Sequence, residues 1–458
     1  MPHYSVYYLE PTEVATTIKD NIGRYKKISI NNESMWRLLI LFLLLVNPVI
    51  DIFAQDAYVV HDSIWCDAVK TVSLTRSDID LASPIVKLTD LGDEGERLML
   101  RFDVLADKDE QFRYRIRHCD AEWHLDDLPP SEYINGYEEG PVEGFDYSFT
   151  TNIPYVNYHQ AIPAQYVNFI ASGNYVVEVF PEDDPDSIIL TRRFWVSEDR
   201  LSIEATVTKP TGARGDLYHD QELSVSFTPD NGSFLPSNEM FYIVVAQQNQ
   251  RTDLCRVLPF YGYQSNALTY RWHKENIFPG GNDFRFFDIS DLRVSNHRVA
   301  RIDQWGGETF VFLQPDEERS KKAYSHIASL NGGMKVNARD RNNPLTESDY
   351  VWVNFSLPMA QPLMGGSIHI VGELTQWRLD DNSRMDWQPL YKAYTKRLLL
   401  KQGYYSYQLL YLPAGETVAQ TSTIEGDHNV TGNNYTIYIY YRPLGARYDR
   451  LVGVKTTY

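Results

Sequence analysis

The sequence predicts an all-β fold of tandem immunoglobulin-like β-sandwich domains, and three observations predict it. Short runs alternate apolar and polar residues with a period of two, as strands with one buried face do. Aromatic residues make up 13% of the 458, with 32 Tyr, 20 Phe and 9 Trp, and such side chains suit a pleated, half-buried surface. No stretch after the apolar run near residue 40 carries a convincing helical period.

Taken in order, Met1 to Ser34 is polar and mixed, and residues 1–34 read as an upstream extension ahead of a true start at Met35. Residues 35–54 then read as a signal peptide. LLILFLLLV (Leu38 to Val46), flanked by Arg37, is well below the roughly 20 apolar residues a spanning helix needs and suits a signal core, with cleavage expected between Ala54 and Gln55 and an uncleaved membrane anchor as the competing reading. A chain of this length divides into several domains.

Residues 55–200 form the predicted N-terminal sandwich, with strands at RLMLRFDVL (Arg97 to Leu105), QFRYRIRHCD (Gln111 to Asp120), NYVVEVF (Asn174 to Phe180) and LTRRFWV (Leu190 to Val196). The middle sandwich is expected over 201–345, from LSIEATV (Leu201 to Val207), ELSVSFT (Glu222 to Thr228), MFYIVVAQ (Met240 to Gln247) and ETFVFLQ (Glu308 to Gln314). A third unit, 346–458, is expected to hold YVWVNFSL (Tyr350 to Leu357), SIHIVGEL (Ser367 to Leu374), RLLLK (Arg397 to Lys401), YYSYQLLYL (Tyr404 to Leu412) and YTIYIYYR (Tyr435 to Arg442).

The formal charge of −18 excludes nucleic acid as a natural partner, because affinity for a phosphate backbone rests on Lys and Arg displacing its counterions. The odd number of cysteines, Cys66, Cys119 and Cys255, allows one disulfide at most, so ordinary cores must hold an exported chain together. Catalytic signatures are absent: there is no G-x-S-x-G, no H-E-x-x-H, no phosphate-binding G-x-x-x-x-G-K-[ST] and no G-x-G-x-x-G. The sequence therefore predicts no enzyme, no cofactor and no metal. His118, Cys119, Asp120 and His124 are the nearest approach to a metal set, yet neighbouring residues on a strand point to opposite faces. The adjacent acids Asp126 and Asp127, or Asp380 and Asp381, lack the across-cleft separation that glycoside hydrolysis requires.

Four stretches go beyond what a fold pattern requires: FPGGNDFRFFDISDLR (Phe278 to Arg293), HRVARID (His297 to Asp303), HCDAEWHLDDLPPSEYINGY (His118 to Tyr137) and YYRPLGARYDRLVGV (Tyr440 to Val454). Together they resemble the plug protein family of the type IX secretion system, over nearly the whole chain after the leader. The resemblance implies a periplasmic, non-catalytic, all-β protein that occludes the outer-membrane translocon barrel when no substrate is engaged. It implies the barrel protein as partner, attachment to the periplasmic face of the outer membrane through protein contact alone, and a monomer outside the complex. In the third unit, IHIVGELTQWRLDDNSRM and LLLKQGYYSYQLLY are similar to early-set immunoglobulin-like domains of the glycogen-binding type. That similarity leaves a second reading, an exported carbohydrate-binding protein or glycosidase accessory module, in which Trp377 and Trp387 stack on sugars rather than pack the sandwich.

Candidate partner-binding residues follow from the enrichment of Arg and large aromatics at interface hot spots. Tyr440, Tyr441, Arg442, Arg447, Tyr448 and Arg450 are the first choice, because chain termini lie at surfaces. Phe284 and Arg285 are the second, with the competing reading that Phe284 fills a core and Arg285 pairs internally.

Overall fold

The computed structural model describes residues 59–76, 83–88, 97–211, 214–229 and 238–457. The predicted extension and signal peptide lie outside them. The regular structure of the described residues is nearly all strand, in antiparallel sheets with two parallel pairings.

The first sandwich packs two sheets. One runs in the order Ser63–Ile64, Leu190–Ser197, Gly173–Pro181, Phe112–Cys119, Glu139–Pro141, and the other Val69–Arg76, Leu98–Val104, Val156–Ile162, Gly144–Tyr147. Alternation places the side chains as expected. Phe112, Tyr114 and Ile116 enter the core beside Leu98, Leu100 and Phe102, while Arg113, Arg115 and Arg117 point away, Arg115 reaching Glu178 at 2.9 Å.

The middle sandwich corrects the predicted division at 345/346. Its first sheet is local, Leu201–Thr208, Asp220–Pro229, Ala267–Tyr270 and Gly262–Gln264, with Ile277–Pro279 alongside. Its second sheet is Cys255–Val257, Tyr242–Gln248, Tyr435–Tyr441 and Arg450–Thr457. The last two strands, assigned from sequence to the third unit, thus complete the middle one, and Tyr435, Ile437 and Ile439 share a core with Leu223, Val225 and Phe227. Conversely, Arg285–Asp288 and Glu308–Leu313, assigned to the middle unit, join the third sandwich beside Gly403–Pro413 and Tyr350–Pro358. The physical reason is that alternation reports which face of a strand is buried and not which strand lies next to it.

The chain therefore crosses from the middle to the third sandwich at 279–285 and returns at 424–435, and these two crossings bind each other. Gly281 N–H donates to Asp427 Oδ1 (3.0 Å), His428 N–H to Gly281 O (2.8 Å) and Asn433 Nδ2 to Gly280 O (2.7 Å). Gly280 is required by proximity: a Cβ there would lie 2.4 Å from the His428 carbonyl oxygen and 2.6 Å from that of His219.

The first sandwich is locked to both others. Against the third, Asp103 accepts from Lys401 Nζ and Tyr350 OH, each at 2.6 Å, and within its own sandwich from Asn157 Nδ2, also at 2.6 Å, all buried. Lys401 Nζ also lies 4.0 Å from the Tyr155 ring centroid. Against the middle, Trp195 stacks on Tyr438 at 4.8 Å, and Glu198 and Arg200 donate backbone N–H bonds to Leu451 and Val452.

Candidate partner-binding surface

The predicted site residues separate into buried and exposed groups. Phe284 is buried edge-on to Trp377, with ring centroids 5.9 Å apart. Arg285, 2% exposed, bonds Glu425 through Nε (2.9 Å) and Nη2 (3.0 Å) and Asp316 through Nη1 (2.9 Å). Burial alone would lower its pKa, but the Glu425 and Asp316 carboxylates outweigh that and raise it. Glu425 is held below the usual glutamate value because Arg285 and Arg319 overcome the effect of its burial. This cluster fixes three segments of the third sandwich, and neither Phe284 nor Arg285 is available to a partner.

Tyr440 and Tyr441 are buried as well, which corrects the expectation of terminal exposure. Their strand lies inside its sheet, with one face on the middle core and the other on the first sandwich, and every residue of Tyr435–Tyr441 is buried. Tyr440 OH donates to Asn174 Oδ1 at 2.7 Å. The signal was present in YTIYIYY, a run too uniformly apolar and aromatic for a strand with a solvated face.

The turn that follows reaches the surface. Arg442 and Arg447 are exposed and flank Leu444, which is 92% exposed. The base of the turn is anchored on the first sandwich. Arg442 pairs with Asp449 (3.3 Å), Asp449 Oδ2 accepts the Ala121 N–H (3.0 Å), Arg447 bonds Glu132 Oε2 (2.7 Å) and half-buried Tyr448 packs edge-on to His118 (5.4 Å). Half-buried Arg450 makes a two-pronged bond to Glu198, at 2.8 and 2.6 Å. A bulky apolar residue is thereby held out in water on a fixed support, a geometry that favours binding because little ordering remains to be done.

Sequence reasoning missed a second exposed feature. Tyr137 and Tyr166 are 80% and 84% exposed, each one position beyond residues 136 and 167, which touch across the pairing of Ile134–Asn135 with Asn168–Phe169. Tyr166 takes φ +65, an uncommon conformation for a bulky residue. The short helix Pro130–Tyr133 leads straight into the strand before Tyr137 and carries Glu132, the partner of Arg447. Exposed tyrosines could have been suspected only from the turn residues Asn135 and Gly136 beside Tyr137.

The chemical candidates do not converge. His118 is buried and bonded through Nδ1 to Asp126, whereas Cys119 faces the other way into a cluster with Val60 and Val176. Burial, reinforced by Asp126, pushes the Cys119 thiol far up. Asp380 is engaged by Arg378 at 2.8 Å and Asp381 by Arg384 at 2.7 Å. Among the described residues no group of three or more His, Cys, Asp or Glu is placed to hold a metal ion. Trp377 is buried against Phe284, and Trp387 is half-buried against the third core, so Trp377 packs the sandwich and offers no sugar platform.

Fold and surface define a class: an all-β protein of interlocked sandwiches that presents apolar and aromatic side chains on anchored turns. Residues 69–198 match the family described as the type 9 secretion system plug protein 1st domain, and that stretch belongs to the type IX secretion system plug family. Membership supports a plug-related role in type IX secretion, points to a non-catalytic function and implies a periplasmic location near the outer membrane. The chain is also similar to a hypothetical protein from Parabacteroides merdae ATCC 43184 whose crystal structure is known. The two are 33% identical, the match covers 87% of this chain and 99% of that one, and the TM-score is 0.83. No curated protein matches the chain.

Proposed function

We propose that this chain is a periplasmic plug that occludes the type IX translocon barrel in the absence of substrate, by protein contact and without catalysis, and that it is a monomer outside the complex. In this reading residues 35–54 direct export and are removed. The observation that carries it is the pairwise locking of three sandwiches into a single block. A stopper must resist deformation, and the paired crossings, the Asp103–Lys401 contact and the Trp195–Tyr438 stack give it that resistance. A closed barrel has no free strand edge to pair with, so adhesion falls to side chains on turns.

Arg442, Leu444 and Arg447, with Tyr137 and Tyr166, are the contact set in this proposal. Hot-spot side chains of this kind cost about 2 kcal/mol or more when truncated, roughly thirtyfold in affinity each. The test is recovery of the chain with a tagged translocon. Leu444→Asp combined with Tyr137→Ala should retain the thermal midpoint and lose co-purification. Undiminished recovery of the folded variant would overturn the contact set, and failure of the parent chain to co-purify would overturn the plug reading.

A further inference from the structure

A groove of about 660 Å³ separates the first and third sandwiches, a volume in the range of sites that hold small ligands or short peptide segments. It plays no part in the docking surface above. Its floor is apolar, from half-buried Trp352, Leu398, Leu399 and Leu374, and half-exposed Trp65 stands on its rim.

The charge of its walls runs against that of the molecule. The chain carries 61 acidic and 43 basic residues, yet Lys70, Arg378, Lys396 and Arg397 line the groove against Asp67 and Asp380 alone, with Lys401 already neutralised by Asp103. Asp380 is further engaged by Arg378 at 2.8 Å. Lys70 makes no ion pair among the described residues and feels the Asp67 carboxylate only at longer range, while Lys396 Nζ donates to the Asp381 carbonyl at 2.8 Å and feels the carboxylates of Asp386, Asp380 and Asp381 around it. Burial lowers the pKa of both ammonium groups, so an arriving anion restores the stabilisation that lost water supplied. A basic recess in an acidic protein focuses its field on an anionic ligand.

The backbone points to the form of that ligand. Ser63–Ile64 and Val69–Arg76 are each the outermost strand of their sheet, and both contribute to the groove wall. Such edges accept an extended chain alongside them. A saccharide would need several side-chain amides free to match its hydroxyls, but of the two in the lining Gln376 is occupied by Arg192 and by the Glu373 carbonyl, which leaves exposed Asn382 alone. We propose that this groove binds an extended acidic segment of a partner protein, its carboxylates on Lys70, Lys396 and Arg397 and its apolar side chains on Trp65 and Trp352. The proposal is independent of occlusion, and its test uses the purified mature chain without the translocon.

The probe is a fluorescein-labelled ten-residue peptide of interspersed Glu and Leu, followed by fluorescence anisotropy. The same peptide with Lys for Glu and a heparin polyanion serve as controls. Binding of the Glu peptide is expected, falling as salt rises, at least tenfold weaker in Lys70→Glu/Lys396→Glu, weaker in Trp65→Ala, and absent for the Lys peptide. Should the double variant lose its thermal midpoint, Trp65→Ala and the salt dependence decide. No binding of the Glu peptide, equal binding of the Lys peptide, indifference to Trp65→Ala, or heparin displacing nothing while binding more tightly elsewhere would overturn it.

Discussion

Lys401 and Glu373 show how single groups set the stability of this molecule. Lys401 sits 1% exposed against Asp103 at 0%, and burial draws its ammonium down from the usual lysine value while Asp103 opposes the shift. Removing one partner of such a pair leaves the other uncompensated, so Lys401→Met should cost about 3–5 kcal/mol, read as a lower urea midpoint. An unchanged midpoint would show that the contact contributes nothing. Glu373 works in the opposite sense: burial pushes its carboxyl up from 4.5 to about 7, against the Met334 N–H bond (2.8 Å) and Arg192. Below pH 4.5 folded and unfolded chains both keep the proton, so no penalty exists. Between 4.5 and about 7 the unfolded chain ionises while the folded one does not, and stability falls as pH rises before levelling off. Glu373→Gln should remove that fall. Denaturant titrations from pH 4 to 8 check it, and an identical profile in the variant would refute the assignment. The residue scale also marks where the sequence was legible in kind but not in place. Arg285 and Tyr440 read as interface types because buried ion networks and interfaces draw on the same side chains, and only the three-dimensional neighbours Glu425 and Asn174 separate the two uses.

Among the elements, the strands themselves were the legible part. Leu98–Val104, Phe112–Cys119 and Leu190–Ser197 fall where alternation puts them. Their assembly was not legible, since the partner of Tyr435–Tyr441 lies almost 200 residues upstream at Tyr242–Gln248 and no local pattern encodes so distant a neighbour. The crossing at PGGND explains why that stretch departs from a simple strand pattern. Its glycines admit the returning chain, and its Asn and Asp tie down what passes: Asn282 Nδ2 donates to Glu425 O (2.7 Å) and Asp283 Oδ2 accepts the Ile327 N–H (2.7 Å). Gly280→Ala should force the His219 and His428 backbones apart, costing about 1–3 kcal/mol by overpacking. Calorimetry reads the loss, and a variant as stable as the parent would mean that the crossing yields more easily than its contacts indicate.

For the whole molecule, the three sandwiches should behave as one cooperative unit, because each is completed or clamped by a segment of another. Thermal unfolding of the mature chain is expected to give one transition with coincident tryptophan fluorescence and circular dichroism. Separate transitions would mean that the interdomain contacts are weak and the block can flex. Rigidity matters because a stopper that is also releasable needs a fixed shape and a modest, partly polar contact rather than a large apolar seal. The most direct test of that account is uptake of a large hydrophilic antibiotic by cells lacking this chain. Uptake should rise in the deletion strain, return to normal with the parent chain and stay high with folded Leu444→Asp/Tyr137→Ala. A deletion strain as impermeable as its parent would contradict occlusion.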